Sequence, residues 1–180
     1  MKILIISANG FEESELLVPY YRLKEEGMEV EIASLSRGRI AGKHGYEIDA
    51  VMGIDEVHAE DYDALILPGG SAPAKLRESA AVRNVVRAFF ADDKPVGAIC
   101  HGPKVLASAG VLAGRRATCY KAVVPELQKA GAHYEDSEVV LDGNLVTSRQ
   151  PADLPAFMRE LIKKLRARQA QQSGAWDIAL

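Results

Sequence analysis

The sequence predicts an α/β domain on a mostly parallel central sheet. Two features carry that expectation. Short apolar runs alternate along the chain with amphipathic stretches of helical period. The runs are also continuous rather than alternating, as in Ile3-Leu4-Ile5-Ile6, which suits strands covered on both faces.

That run is the first strand. A helix follows from about Ser14 to Glu26, because Leu16, Leu17, Tyr20, Tyr21 and Leu23 fall at helical spacing and Gly27 supplies a stop. Val30 to Leu35 reads as the second strand. Residues 36–60 carry Gly38, Gly42, Gly45 and Gly53 and are expected to form short strands and turns off the main sheet. Asp63 to Leu67 is the next core strand, ending at Pro68-Gly69-Gly70. A helix over about Ala80 to Ala91 places Val82, Val85, Val86 and Phe89 on one face. Lys94 to Ile99 is a short buried strand that meets Cys100-His101-Gly102-Pro103, and the helix beginning there stops at Gly110. A strand near Ala117 to Cys119, a helix near 122–130, strands around 137–141 and 144–148, and a helix from Pro151 to about Arg168 complete a single domain over residues 1–168. Residues 169–180 read as a polar, low-complexity tail with an apolar tip at Trp176, Ile178 and Leu180.

Charge narrows the function classes. The chain has 22 Lys and Arg against 25 Asp and Glu, a formal net charge of −3, so it lacks the basic excess of a nucleic-acid-binding domain. The run Lys163-Lys164-Leu165-Arg166-Ala167-Arg168 reads as the solvated face of the last helix. Neither a specific nucleic acid nor a membrane is expected as partner, since no apolar run reaches the roughly 18 residues of a spanning helix. The opening strand runs into Glu12 and Glu13 instead of forming a secretory apolar region. With two cysteines, Cys100 and Cys119, this points to a reducing cytoplasm and no disulfide framework.

The chemistry is expected at Val96-Gly97-Ala98-Ile99-Cys100-His101-Gly102-Pro103. A buried strand ends, one residue turns sharply, and a helix begins, which is the logic of a nucleophile elbow with Cys in place of Ser. Gly102 permits close backbone passage, and Pro103 suits a first helical turn. A thiol at a helix N-terminus is expected to be drawn towards thiolate by the dipole and free N–H groups. Cys119, at the end of a short strand, reads as a buried structural cysteine. The two cysteines lack CxxC pairing, and His44, His58 and His133 follow no ligand spacing, so no metal site is expected.

Two further loops should meet this elbow. In Ala8-Asn9-Gly10-Phe11-Glu12-Glu13-Ser14-Glu15, Glu12 and Glu15 lie three apart and can look to one side, whereas Glu13 reads as surface charge favoured by a helix start. A carboxyl beside a thiolate in a crevice would have a raised pKa and could donate a proton near neutrality. In Pro68-Gly69-Gly70-Ser71, the paired glycines are either a tight turn or a source of N–H groups that, with the N–H of His101, stabilise an oxyanion. Tyr120 is either a pocket hydroxyl or a core or rim tyrosine. His44, within Gly42-Lys43-His44-Gly45, reads as a turn or interface residue.

These motifs in this order resemble the PfpI/ThiJ family of the class I glutamine-amidotransferase-like superfamily. The matching segments are Ser7 to Glu12 with Glu15, Tyr20 to Gly27, Gly42 to Gly45, Asp63 to Gly70, Lys94 to Pro103, Gly114-Arg115, Val146 to Arg149 and Pro151 to Pro155. The resemblance covers Lys2 to about Leu165. It implies a flavodoxin-like three-layer sandwich, a reactive Cys100 with Glu15 beside it, and a homo-oligomer, dimer or hexamer, with the pocket close to a subunit interface. It also implies one of several activities: cofactor-independent glyoxalase, deglycase acting on glyoxal and methylglyoxal adducts, intracellular peptidase, or a redox-sensing stress protein with a chaperone role.

One departure bears on that choice. Peptidase-branch members carry an acidic residue just after the Pro that follows Gly-Gly, where it orients the elbow His of a neighbouring subunit. Here the segment is Ser71-Ala72-Pro73-Ala74-Lys75, and Ala74 stands in that place. A Cys–His pair without its third member loses the group that fixes the tautomer. The expectation is therefore a cysteine enzyme of reactive carbonyls, without cofactor or metal. Cys100 attacks an aldehyde carbon, Glu15 moves a proton with Glu12 or His101 assisting, and Gly69, Gly70, His101 and Tyr120 form the oxyanion site and pocket.

Overall fold

The computed structural model describes the backbone of residues 1–177 and the side chains of residues 1–174. Among the described residues there are eleven strands: β1 (Lys2–Ile6), β2 (Glu29–Ser34), β3 (Gly38–Ala41), β4 (Glu47–Ala50), β5 (Met52–Gly53), β6 (Ala64–Leu67), β7 (Val96–Ile99), β8 (Arg116–Ala117), β9 (His133–Tyr134), β10 (Val140–Asp142) and β11 (Leu145–Ser148). The α-helices are α1 (Glu13–Glu25), α2 (Ala72–Leu76), α3 (Ala80–Ala91), α4 (Pro103–Ala109), α5 (Val124–Lys129) and α6 (Leu154–Asp177).

Seven strands form the central sheet in the order β10-β11-β7-β6-β1-β2-β5. Every adjacent pair is parallel except β10–β11. The apolar runs lie at its centre: each residue of β6 and β7 is buried, as are Ile3 to Ile6 of β1. Helix α1 packs with α6, while α3, α4 and α5 pack together on the opposite face. Both faces are thereby covered, which is why these strands need no polar alternation. The chain leaves β1 to build β2 on one side and β6 on the other, so the carboxyl ends of β1, β6 and β7 open onto a topological switch point.

The local expectations differ from the structure at several places. Residues 36–60 form a separate β3–β4 hairpin, but Met52–Gly53 joins the main sheet beside β2. The short helix α2 and strand β9 were not anticipated, because neither is long enough to show a period. The strand expected at Ala117 to Cys119 is Arg116–Ala117, with Thr118 and Cys119 just beyond it. The last helix runs to Asp177, since a polar sequence of good helix formers can extend α6 past the core without an apolar face. The side chain of Trp176 and residues Ile178 and Leu180 lie outside the described residues. Among those described, no helix is long and apolar enough to cross a membrane.

Candidate active site

Cys100 is the turn between β7 and α4. Its φ is +62°, a left-handed conformation that costs a non-glycine residue free energy and must be held by its surroundings. Three backbone bonds hold it. Cys100 N donates to Ser148 O at 3.0 Å, Tyr120 N donates to Cys100 O at 2.9 Å, and Gly102 N donates to Ile99 O at 2.8 Å. Glycine is required at 102, since a Cβ there would sit 2.2 Å from the Leu67 carbonyl oxygen. The side chain is thus aimed into the crevice above the strand ends with the residue only 8% exposed.

Glu15 enters the same place from the first turn of α1. It is fully buried; Oε2 accepts a hydrogen bond from Gly69 N at 2.8 Å, and Oε1 has no partner. Burial pushes its pKa up to about 8, against the pull of the Gly69 N–H and the Cys100 thiol. The thiol is also pushed up, first by burial and then by the Glu15 carboxylate, while the His101 N–H and Lys43 pull more weakly downward. The expected dipole-driven lowering is therefore overridden by desolvation; α4 is seven residues long and the sulfur lies beneath the surface. Placed side by side, the two groups share the cost of one negative charge, so ionising either one holds the proton on the other.

His101 Nδ1 lies 3.3 Å from Cys100 Sγ, and its ring stacks on Tyr120 with centroids 4.9 Å apart. Burial, then Lys104 and Lys43, lower its pKa below the ordinary histidine value, so the ring is neutral at pH 7. Ala74 lines the same cavity and offers no carboxylate there. The nearby Glu126 acts on His101 only through space.

A cavity of about 510 Å³ stands over these groups, lined by Glu12, Glu15, Gly70, Cys100, His101 and Tyr120 together with Lys43 and Lys104. Gly69 is placed differently from Gly70. Its N–H is taken by Glu15, so it positions the carboxyl, and Gly70 and His101 are left as the backbone edge of the cavity. Glu12 does face the same side as Glu15, where it forms an ion pair with Lys43 and accepts from Ser14 Oγ at 3.1 Å.

Lys43 and Lys104 are the charged cavity residues that sequence reasoning missed. Lys43 is carried in by the β3–β4 hairpin, and its signal was present in Gly42-Lys43-His44-Gly45, where the turn drew attention to the neighbouring histidine. That histidine is exposed; its Nδ1 lies 2.9 Å from Glu13 Oε2 and its N–H donates to Glu13 Oε1 at 2.5 Å, tying the hairpin to α1. Glu12, Glu13 and His44 have ligand atoms within 4.8 Å of one another. Lys43 and His44 already satisfy those carboxylates, so the trio reads as the hairpin's anchor. Cys119 is fully buried and its thiol is pushed up to about 12 by burial, as suits a structural cysteine.

Residues 1–164 match the DJ-1/PfpI family. Over 166 residues, 92% of this chain and the whole length of the relative, the sequence is 51% identical to Deglycase PH1704 of Pyrococcus horikoshii. The same identity and coverage relate it to Deglycase PfpI of Pyrococcus furiosus. The crystal structure of Drosophila melanogaster DJ-1beta superposes with a TM-score of 0.86 at 30% identity, covering 99% of this chain and 97% of that one. With sequence, fold and strand–turn–helix junction in agreement, this chain belongs to the DJ-1/PfpI family.

Proposed function

We propose that this protein is a cysteine-dependent deglycase-type enzyme acting on glyoxal, methylglyoxal or their adducts. The observation that carries this reading is the buried Cys100–Glu15 pair under one cavity, with Glu15 Oε1 unpartnered and its pKa near 8. The names of the 51%-identical relatives support the same class. Two unpaired cysteines suit a reducing cytoplasm.

The pair divides the work. The Cys100 thiolate, its proton passed to Glu15 or His101, attacks the aldehyde carbon of methylglyoxal, and the oxyanion takes up a proton to give a hemithioacetal. Ionised Glu15 then removes the proton from that carbon and returns it to the adjacent one through an enediol. The result is a thioester of a 2-hydroxy acid. Water adds to it, the thiol leaves, and lactate is released. The N–H groups of Gly70 and His101 serve the oxyanions. A deglycase applies the same thiolate and carboxyl to an aminocarbinol or hemithioacetal adduct: the amine or thiol leaves with a proton as the freed aldehyde carbon passes to the Cys100 sulfur, and the same steps follow.

The 3.3 Å contact between Cys100 and His101 favours a second reading, a cysteine peptidase. Ala74 weakens it, because that position supplies no carboxylate to orient an elbow imidazole. The test is cofactor-free consumption of methylglyoxal with lactate quantified, for the native protein, Cys100→Ala and Glu15→Gln. Multiple turnovers lost in both variants support the carbonyl enzyme. Equal loss of methylglyoxal with Cys100→Ala overturns it, and hydrolysis of a peptide substrate would then favour the peptidase.

A further inference from the structure

We propose that Lys104 makes the Cys100 cavity selective for carbonyl compounds bearing an anionic oxyacid group, a carboxylate or a phosphate. The proposal deepens the carbonyl reading and rests on Cys100 as the reacting group.

Glu12, Glu15, Lys43 and Lys104 line the cavity. Glu12 and Lys43 neutralise one another in their ion pair. Glu15 is held largely neutral at pH 7 by its burial, and His101 is neutral for the same reason. Lys104 is what remains. Its carboxylate neighbour, Glu126 Oε1, stands 3.7 Å away, at the outer edge of an ion pair. The other oxygen of that carboxylate is engaged by Arg77 at 2.6 Å. Two cations thus share one carboxylate, leaving an excess positive charge at the cavity wall.

Lys104 is also built to use that charge. Its side chain is only 23% exposed, and its carboxylate neighbour at 3.7 Å lies beyond hydrogen-bond reach of Nζ. Lys104 N donates to His101 O at 3.0 Å, which fixes the root of the side chain one turn from the sulfur. Its charge reaches the imidazole, whose pKa it depresses. An ammonium with three donors, partly desolvated and short of acceptors, favours an oxyanion on whatever enters. The 2-hydroxy acid product is one such anion.

Alkylation of Cys100 by iodoacetate and iodoacetamide tests this without turnover. With either reagent the sulfur displaces iodide and forms the same S–CH2 bond, and the reagents differ chiefly in one negative charge. The ratio of the two rates, read at the Cys100 peptide by mass spectrometry, should fall about fivefold in Lys104→Gln, the scale of one partly screened unit charge, and stay near native in Lys104→Arg. Glycolate or inorganic phosphate should slow iodoacetamide in the native protein, glycolate marking a carboxylate preference and phosphate a phosphate preference. An unchanged ratio in Lys104→Gln, or no slowing by either anion, overturns the proposal. Failure to turn over methylglyoxal would overturn the carbonyl reading and leave this ratio to be judged alone.

Discussion

Gly69 and Glu15, 54 residues apart in the chain, are joined by a 2.8 Å hydrogen bond from the Gly69 N–H to Glu15 Oε2. That bond fixes the carboxyl against Cys100. A Cβ at position 69 would lie 2.4 Å from Glu15 Oε2 and 2.9 Å from Cys100 Cβ, so the turn, Glu15 and Cys100 fit together only without a side chain there.

Gly69→Ala should therefore move the carboxyl and the thiol apart while leaving the sheet intact. We expect kcat for methylglyoxal to fall at least about tenfold, as for a displaced reacting group, with little change in far-ultraviolet circular dichroism. Native kcat in this variant would show that the close approach is not needed for turnover.

Glu15 also gives stability a pH dependence. Its folded pKa, about 8, is raised above the ordinary value of 4.5 that the unfolded chain retains. Between those values the folded state holds the proton and the unfolded state releases it, so stability is fully present below about 4.5 and declines as pH rises through 8. Glu15→Gln, which has no proton to lose, should gain melting temperature relative to the native protein from pH 5 to pH 8. A pH-independent difference between the two would refute burial of a neutral carboxyl.

Gly102 is the second close contact that the elbow requires. In Gly102→Ala the new Cβ would strike the Leu67 carbonyl oxygen at 2.2 Å, forcing α4 off the end of β6. Overpacking of this kind should cost about 2 kcal/mol in urea denaturation and slow alkylation of Cys100. Unchanged stability and reactivity would mean that the elbow yields at no cost.

The two thiols should differ sharply in reactivity. Cys119 is fully buried, whereas Cys100 lines the cavity and has His101 within 3.3 Å to take its proton. Iodoacetamide should label Cys100 at least about 100-fold faster than Cys119 in the native protein, with the difference lost in denaturant. Comparable native rates would place Cys119 outside the protected core.

Much of this protein was legible in its residues. Continuous runs such as Ile3 to Ile6 and Ala64 to Leu67 mark strands covered on both faces, because a half-solvated strand would alternate. Cys100-His101-Gly102-Pro103 after Val96 to Ile99 located the strand–turn–helix junction, since local backbone chemistry alone dictates a small residue and a helix-starting proline there. Lys104 on α4 carried no such local mark, and the glycines around Lys43 marked only a turn, because the place of both lysines in the cavity depends on which loops the sheet order brings together. The proton affinities of Glu15 and Cys100 were likewise decided in three dimensions. A sequence shows which groups can ionise, but the desolvation and neighbouring charge that set where they do so arise only when β1, β6 and β7 place them under one cavity.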